Sequence, residues 1–257
     1  MNLLFVLAAM CLLPLFPFSL VFNRFVALLP AGAAQGLAVL VLPQLGLQLL
    51  RFVPSARPLP WLGQHAGMLW AVFSALLYGF RALSAREMGI WTRLLMSSGL
   101  ALVWLGWWRG VPVPVLAVIT LGWTLPAAIL LFLVGALIRR VGGAYLGLHG
   151  GLVAAMPRMA ASITLTALAL AATPVFPAFF ATLGGFRLMP LSWVPFVLPL
   201  LFLWGWVTSR LFQDLLFGDY RGEVVADLGR GGAVLTGLLL LATVLLSFYG
   251  SGVGLWR

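Results

Sequence analysis

The sequence predicts an all-α integral membrane protein, a single polytopic membrane domain over residues 1–257 with about eight transmembrane helices. Two observations predict this class. Hydrophobic residues make up 63% of the chain, charged residues only 8%, and the mean hydropathy is +1.13. A soluble domain carries about 25% charged residues. The second observation is a series of apolar runs of about 20 residues, the length that crosses the hydrocarbon core of a bilayer.

The apolar runs give the order of the predicted spans. The N-terminal segment MNLLFVLAAM has no basic region and no small-residue cleavage site, so we assign it to the first span and not to a signal peptide. The predicted spans cover residues 3–22, 27–50, 61–83, 90–108, 113–138, 160–183, 190–212 and 232–250.

The basic residues predict the orientation. All 15 are arginines, against 5 acids, for a net charge of +10. Connections after the odd-numbered spans hold Arg24, Arg81, Arg86, Arg93, Arg139, Arg140, Arg158, Arg210, Arg221 and Arg230; the other side has Arg51, Arg57, Arg109, Arg187 and Arg257. The positive-inside rule then places the odd connections in the cytoplasm and both termini outside. Such a charge distribution indicates a membrane topology and no nucleic-acid partner.

The sixth span is predicted to be a broken helix. Thr173, Pro174 and Pro177 interrupt its apolar run near residues 173–185, and a Gly184-Gly185 pair follows. Proline removes a helical hydrogen bond, and in hydrocarbon the freed backbone groups need other partners. In transporters such breaks line the path of an ion or substrate, whereas the alternative is a kinked packing helix.

The chain offers no evident catalytic or metal-binding chemistry. His65 and His149 lack ligand-spaced neighbours, and Cys11 is the single cysteine, so we expect no metal, no cofactor and no enzyme activity. The central turns of the spans carry no charge, since Arg93 and Arg210 lie near span ends and reach the interface. The acids of residues 213–231 indicate a solvated loop or, alternatively, a docking surface for a neighbouring subunit; they are Asp214, Asp219, Glu223 and Asp227.

Five segments together resemble the antiporter-like membrane subunits shared by respiratory complex I, membrane-bound hydrogenases and multisubunit cation/proton antiporters. They are PLFPFSLVFNRFVALLPAGAAQGLAVLVLPQLGLQLLRF (14–52), ALLYGFRALSAREMGIWTRLLMSSGLALVWLG (75–106), WTLPAAILLFLVGALI (123–138), GLHGGLVAAMPRM (147–159) and LALAATPVFPAFFATLGGF (168–186). The resemblance lies in their order and spacing and covers nearly the whole chain. It implies the last eight of that family's fourteen helices, as a truncated member in a bacterial cytoplasmic membrane.

The resemblance also implies a loss of the family's proton relay. In that family a central row of Lys, His and Glu carries protons along the membrane plane. The matching positions are all neutral here: Leu12, Gln44, Thr92, Trp123, Ala127 and Thr182. Such side chains do not exchange protons near working pH. The implied function is a non-catalytic structural or coupling subunit of a proton- or sodium-coupled complex.

The implied partners are a full-length antiporter-like paralogue, other subunits of the complex and the lipid bilayer. Inorganic-carbon uptake complexes are one specific candidate, beside multisubunit antiporters and hydrogenase-type complexes. The partner is expected to pack on the first two spans, where Gly32 and Gly36 would allow close helix approach.

A different class of function stays open. The alternative is a stand-alone small transporter or channel, with a polar uncharged path lined by Thr, Ser and backbone carbonyls at residues 173–177. Stable association with a large partner distinguishes the subunit from a transporter that works alone.

Overall fold

The computed structural model describes residues 2–53, 61–147, 150–187, 194–220 and 225–252, and the regular structure within them is helical. The helices are α1 (Asn2–Leu12), α2 (Ser19–Leu28), α3 (Ala33–Arg51), α4 (Trp61–Leu83), α5 (Met88–Trp108), α6 (Val113–Val141), α7 (Leu152–Ala155), α8 (Pro157–Leu170), α9 (Pro177–Arg187), α10 (Val194–Leu215) and α11 (Arg230–Gly252). The predicted all-α membrane class is confirmed. The single-domain organisation stays a prediction.

The predicted spans and the helices agree except at two places. In the described residues, α3, α4, α5, α6 and α11 are long and apolar enough to cross a membrane. Helix α10 has 22 residues and covers the seventh predicted span, with Arg210 and Asp214 near its end. The first and sixth predicted spans are each two short helices, α1 with α2 and α8 with α9.

Local sequence explains the limits of the longest helix. Pro114 occupies the first turn of α6, where a missing N–H costs no helical hydrogen bond. Gly142 ends α6 with φ 78°, a left-handed conformation that glycine adopts without steric cost. The 29 residues of α6 span about 43 Å at about 1.5 Å per residue, so α6 is longer than the hydrocarbon core is thick.

Helix α5 forms the centre of the bundle and α11 its periphery. In the most apolar stretch of α5, 89% of the residues are buried, against 22% in the most apolar stretch of α11. Large exposed side chains such as Leu37, Phe202 and Phe248 cover the outer faces. In hydrocarbon an outward apolar surface is solvated by acyl chains, so this distribution fits a membrane-embedded bundle.

The small residues near α3 pack inside the molecule. A Cβ on Gly135 of α6 would lie 2.4 Å from the Gly32 Cα, and one on Gly36 would lie 3.0 Å from the Ala128 carbonyl oxygen. The expectation that Gly32 and Gly36 serve the approach of a partner is therefore wrong. They allow α3 and α6 to pack backbone against backbone.

Candidate functional site: two broken helices in the core

The predicted break in the sixth span is present, between Leu170 at the end of α8 and Pro177 at the start of α9. Within it, Ala172 has φ 54° and Val175 has φ 91°. A positive φ at a β-branched residue such as Val175 is a strained conformation. Pro174 lies inside the break and has no backbone N–H to donate to a helical hydrogen bond.

This break, called the second break from here on, satisfies several of its own backbone groups. The Thr173 hydroxyl donates to the Leu168 carbonyl at 3.0 Å, and the Thr173 backbone N–H donates to the same oxygen at 3.3 Å. The Phe176 N–H in turn donates to the Thr173 carbonyl at 3.3 Å. The break is therefore closed by local hydrogen bonds. Gly184 and Gly185, predicted as part of the interruption, lie within α9.

Another break, called the first break from here on, was missed in the sequence analysis and divides the first predicted span. Helix α1 ends at Leu12, and α2 begins only at Ser19. Pro14 and Pro17 lie between them, and this pair of prolines was the signal available in the sequence. A continuous span over residues 3–22 is therefore wrong.

Tryptophans from other helices donate hydrogen bonds to two carbonyls of the first break. The Trp104 indole N–H of α5 donates to the Leu13 carbonyl at 3.2 Å. The Trp70 indole N–H of α4 donates to the Phe16 carbonyl. Leu13 and Trp104 are fully buried, so water does not reach this site, and the indole supplies the donor that the carbonyl needs.

Two of the predicted relay positions are buried threonines. The Thr92 hydroxyl donates to the Met88 carbonyl at 2.7 Å, and the Thr182 hydroxyl donates to the Ala178 carbonyl at 2.7 Å. Both bonds run back one turn along the residue's own helix. The hydroxyls are thus used locally and link no neighbouring helix.

Three further relay positions contribute little polarity. The half-buried Gln44 donates from Nε2 to the Ala117 carbonyl at 3.1 Å, which joins α3 to α6. Ala127 is fully buried, and Leu12 ends α1 with its Cβ against Gly46. None of these side chains exchanges protons.

The remaining relay position is filled by an aromatic ring. Trp123 is buried and meets Trp204 of α10 edge to face, with ring centroids 4.9 Å apart. A Cβ on Gly99 would lie 2.2 Å from the Trp123 ring, so α5 has a glycine exactly where this ring packs. The pair closes the centre of the bundle with apolar surface.

Neutral polar side chains also form a network beside α2. The Ser19 hydroxyl bonds to the Tyr78 hydroxyl, and the Asn23 amide donates to the Ser97 hydroxyl at 3.2 Å and to the Ser19 carbonyl at 3.0 Å. The Asn23 Oδ1 atom is buried and has no hydrogen-bond partner among the described residues. This unmet acceptor lies in a residue that borders the outer face of the bundle.

Two arginines have side-chain partners. Arg93 donates to the Gln35 side chain at 3.4 Å, and Arg210 forms an ion pair with Asp214 at 3.5 Å. In the described parts of the chain no group of three or more His, Cys, Asp or Glu side chains is placed to hold a metal ion. His149 lies outside the described residues.

Asp227 caps the first half of the second broken helix. Its carboxylate accepts hydrogen bonds from the backbone N–H groups of Arg158 (2.9 Å), Met159 (3.1 Å) and Leu228 (2.6 Å). Burial alone raises the pKa of Asp227, but these bonds and the Arg158 charge outweigh it and hold the pKa below its usual value. Asp227, one of the acids of the loop predicted to be solvated, thus also stabilises the N-terminus of α8.

The long helices and the two broken ones form an arrangement that comparison with known proteins identifies as part of the antiporter-like membrane fold. No protein-family model matches the sequence, and no curated protein does. Solved structures do match. A chain of respiratory complex I from Thermus thermophilus is 25% identical with a TM-score of 0.82, and the match covers 99% of this chain and 57% of that one.

Two further structures share the fold. A chain of the Mrp complex from Dietzia sp. is 13% identical with a TM-score of 0.81, covering 99% of this chain and 57% of that one. A chain of the membrane-bound sulfane sulfur reductase, an archaeal respiratory membrane complex, is 17% identical with a TM-score of 0.80, covering 96% and 52%. The predicted family resemblance is confirmed at the level of the fold. The chain spans little more than half the length of the chains it matches.

Proposed function

We propose that the protein is a non-catalytic structural or coupling subunit of a proton- or sodium-coupled membrane complex, and that it carries no proton relay of its own. The observation that carries this proposal is the chemistry of the six relay positions. Two hydroxyls there bond within their own helices, and Trp123 packs against Trp204. Groups that do not exchange protons near working pH support a structural role.

The two breaks support the same proposal. Helix breaks expose carbonyls that can line an ion path. Here the Leu13 carbonyl faces an indole donor, and the Leu168 carbonyl accepts from Thr173. An indole N–H is a donor only and passes no proton onward.

The proposed setting is a bacterial cytoplasmic membrane, with both termini outside and a full-length antiporter-like paralogue among the partners. The fold shared with membrane chains of three multisubunit assemblies supports association with other subunits. The arginine bias of the connections supports the orientation. An inorganic-carbon uptake complex is the specific candidate.

Gentle detergent purification of the tagged protein, with mass spectrometry of co-migrating chains, tests the partner. We expect a stable complex that contains a Lys- and Glu-bearing antiporter-like subunit. A homogeneous species of this chain alone would contradict the proposal. Proton flux in liposomes of the isolated chain is expected to equal that of empty liposomes.

One observation favours the alternative, a stand-alone transporter or channel. The buried hydroxyls of Thr120 and Thr124, one turn apart on α6, have no hydrogen-bond partner among the described residues. Such groups are commonly solvated by internal water. The test is ion flux through the isolated chain in liposomes. Flux that is lower in a Thr120→Val/Thr124→Val variant than in the wild type would support the transporter and contradict the subunit role.

A further inference from the structure

A cavity of about 810 Å³ lies on the outer side of α2, bordered by α4 and α5. Its volume falls within the range of about 300–1,000 Å³ typical of ligand pockets. The walls include apolar side chains that are also exposed at the surface, among them Val21 (59%), Leu28 (74%) and Ile90 (37%). The cavity is therefore a groove that opens toward the bilayer.

Three arginines line this one groove: Arg24 of α2, Arg81 of α4 and Arg93 of α5. None of the described lining residues is acidic. Arg24 and Arg81 are exposed, and the structure shows no ion pair to either in the described residues. Two exposed arginines thus border a space whose other walls are mostly apolar. Arg93 also lines this space, but it bonds to Gln35 and borders an adjacent pocket with Glu87.

The groove combines a cationic end with an apolar wall, which is the pattern of an anionic phospholipid site. Arginine binds phosphate oxygens through paired N–H donors. Basic pockets between transmembrane helices bind anionic headgroups. The exposed face of α2, with Leu20, Val21 and Phe25, would lie along an acyl chain.

We propose that this groove binds an anionic phospholipid, with the phosphate at Arg24 and Arg81 and an acyl chain along α2. The arginines of the lining match an anionic headgroup, which is the observation that favours lipid over an apolar partner helix. The inference does not depend on the proposed subunit role.

Native mass spectrometry of the purified full chain, titrated with phosphatidylglycerol or with phosphatidylcholine, tests the site. We expect phosphatidylglycerol to be retained preferentially. Arg24→Gln and Arg81→Gln should each lower its affinity about fivefold. Arg109→Gln is the matched control, since Arg109 is also exposed but lies at the far end of α5. Both primary variants change exposed side chains, so folding is preserved.

A photo-crosslinker placed at Val21 identifies the occupant directly. Capture of lipid in wild-type membranes, reduced in the Arg24→Gln/Arg81→Gln variant, supports the proposal. Capture of a polypeptide at this position would overturn it and assign the groove to a partner helix. Equal phosphatidylglycerol retention by wild type and the double variant would overturn it as well.

Discussion

The two broken helices satisfy the backbone groups freed at their breaks in different ways. In residues 13–18, the Leu13 and Phe16 carbonyls accept from indoles of α5 and α4, and the other bonded carbonyls accept from nearby backbone N–H groups of α2. Residues 171–176 rely on Thr173 and on two strained residues with positive φ. The first break therefore depends on the packing of the whole bundle, whereas the second holds its shape locally. A break fixed by other helices unfolds only with them, and a local one can adjust alone.

The largest expected effect falls on the first break. Trp104→Phe keeps most of the buried ring but leaves the Leu13 carbonyl unsatisfied, which costs about 1–3 kcal/mol. Unfolding in mixed detergent micelles measures the loss. Trp206→Phe is the control, because Trp206 is 58% exposed. Equal stability of the two variants would contradict the role of the indole hydrogen bond.

The second-largest loss of stability is expected when the cap of α8 is removed. Asp227→Ala removes the acceptor of the Arg158 and Met159 N–H groups and should cost about 0.5–2 kcal/mol at pH 7. The folded pKa of Asp227 is lowered, so its contribution is complete above the unfolded value of about 3.9 and is lost as pH falls further. The difference in unfolding free energy between wild type and the Asp227→Ala variant should therefore disappear below about pH 4. Asp219→Asn, an exposed acid, should stay within about 0.5 kcal/mol of wild type.

The strain at the second break predicts a smaller effect of opposite sign. Val175→Gly places glycine at φ 91° and should stabilise the protein by about 0.5–1 kcal/mol. Little burial is lost, since Val175 is 48% exposed. Val234→Gly, at a similarly exposed helical position of α11, should instead destabilise by about 0.5–1 kcal/mol. Destabilisation by both would show that the break carries no relievable strain.

The local hydrogen bond at the second break should matter least. Thr173→Val removes the hydroxyl, but the Thr173 backbone N–H still donates to the Leu168 carbonyl. The expected loss is about 0.5 kcal/mol. A loss as large as that of Trp104→Phe, in the same unfolding assay, would erase the difference between the two breaks.

The sequence predicted the central helices well, because uniform apolar runs such as those of α5 and α6 leave few alternatives in a membrane. It also located the second break, where Pro174 and a second proline interrupt the run. The first break was missed because the apolar run over residues 3–22 was assigned to a single span, although Pro14 and Pro17 lie within it. The presence of prolines alone does not distinguish a kink from a gap of several residues.

The contacts that fix the candidate site were beyond sequence reasoning. Asp227 meets Arg158 across 69 positions, and Trp104 meets Leu13 across 91. Periodicity reports which face of a helix is apolar, but not which distant residue completes a backbone hydrogen bond. Their role in the site became evident only from the packed bundle.

The cap by Asp227 also constrains the order of events during biosynthesis. The acceptor is translated 69 residues after Arg158, a delay of roughly 3–14 s at about 5–20 residues per second. Through that interval the α8 N-terminus must rest against interfacial water, and it becomes anchored only when the segment before α11 reaches the ribosome exit. Maturation of α8 is thereby coupled to the emergence of the segment that leads into α11.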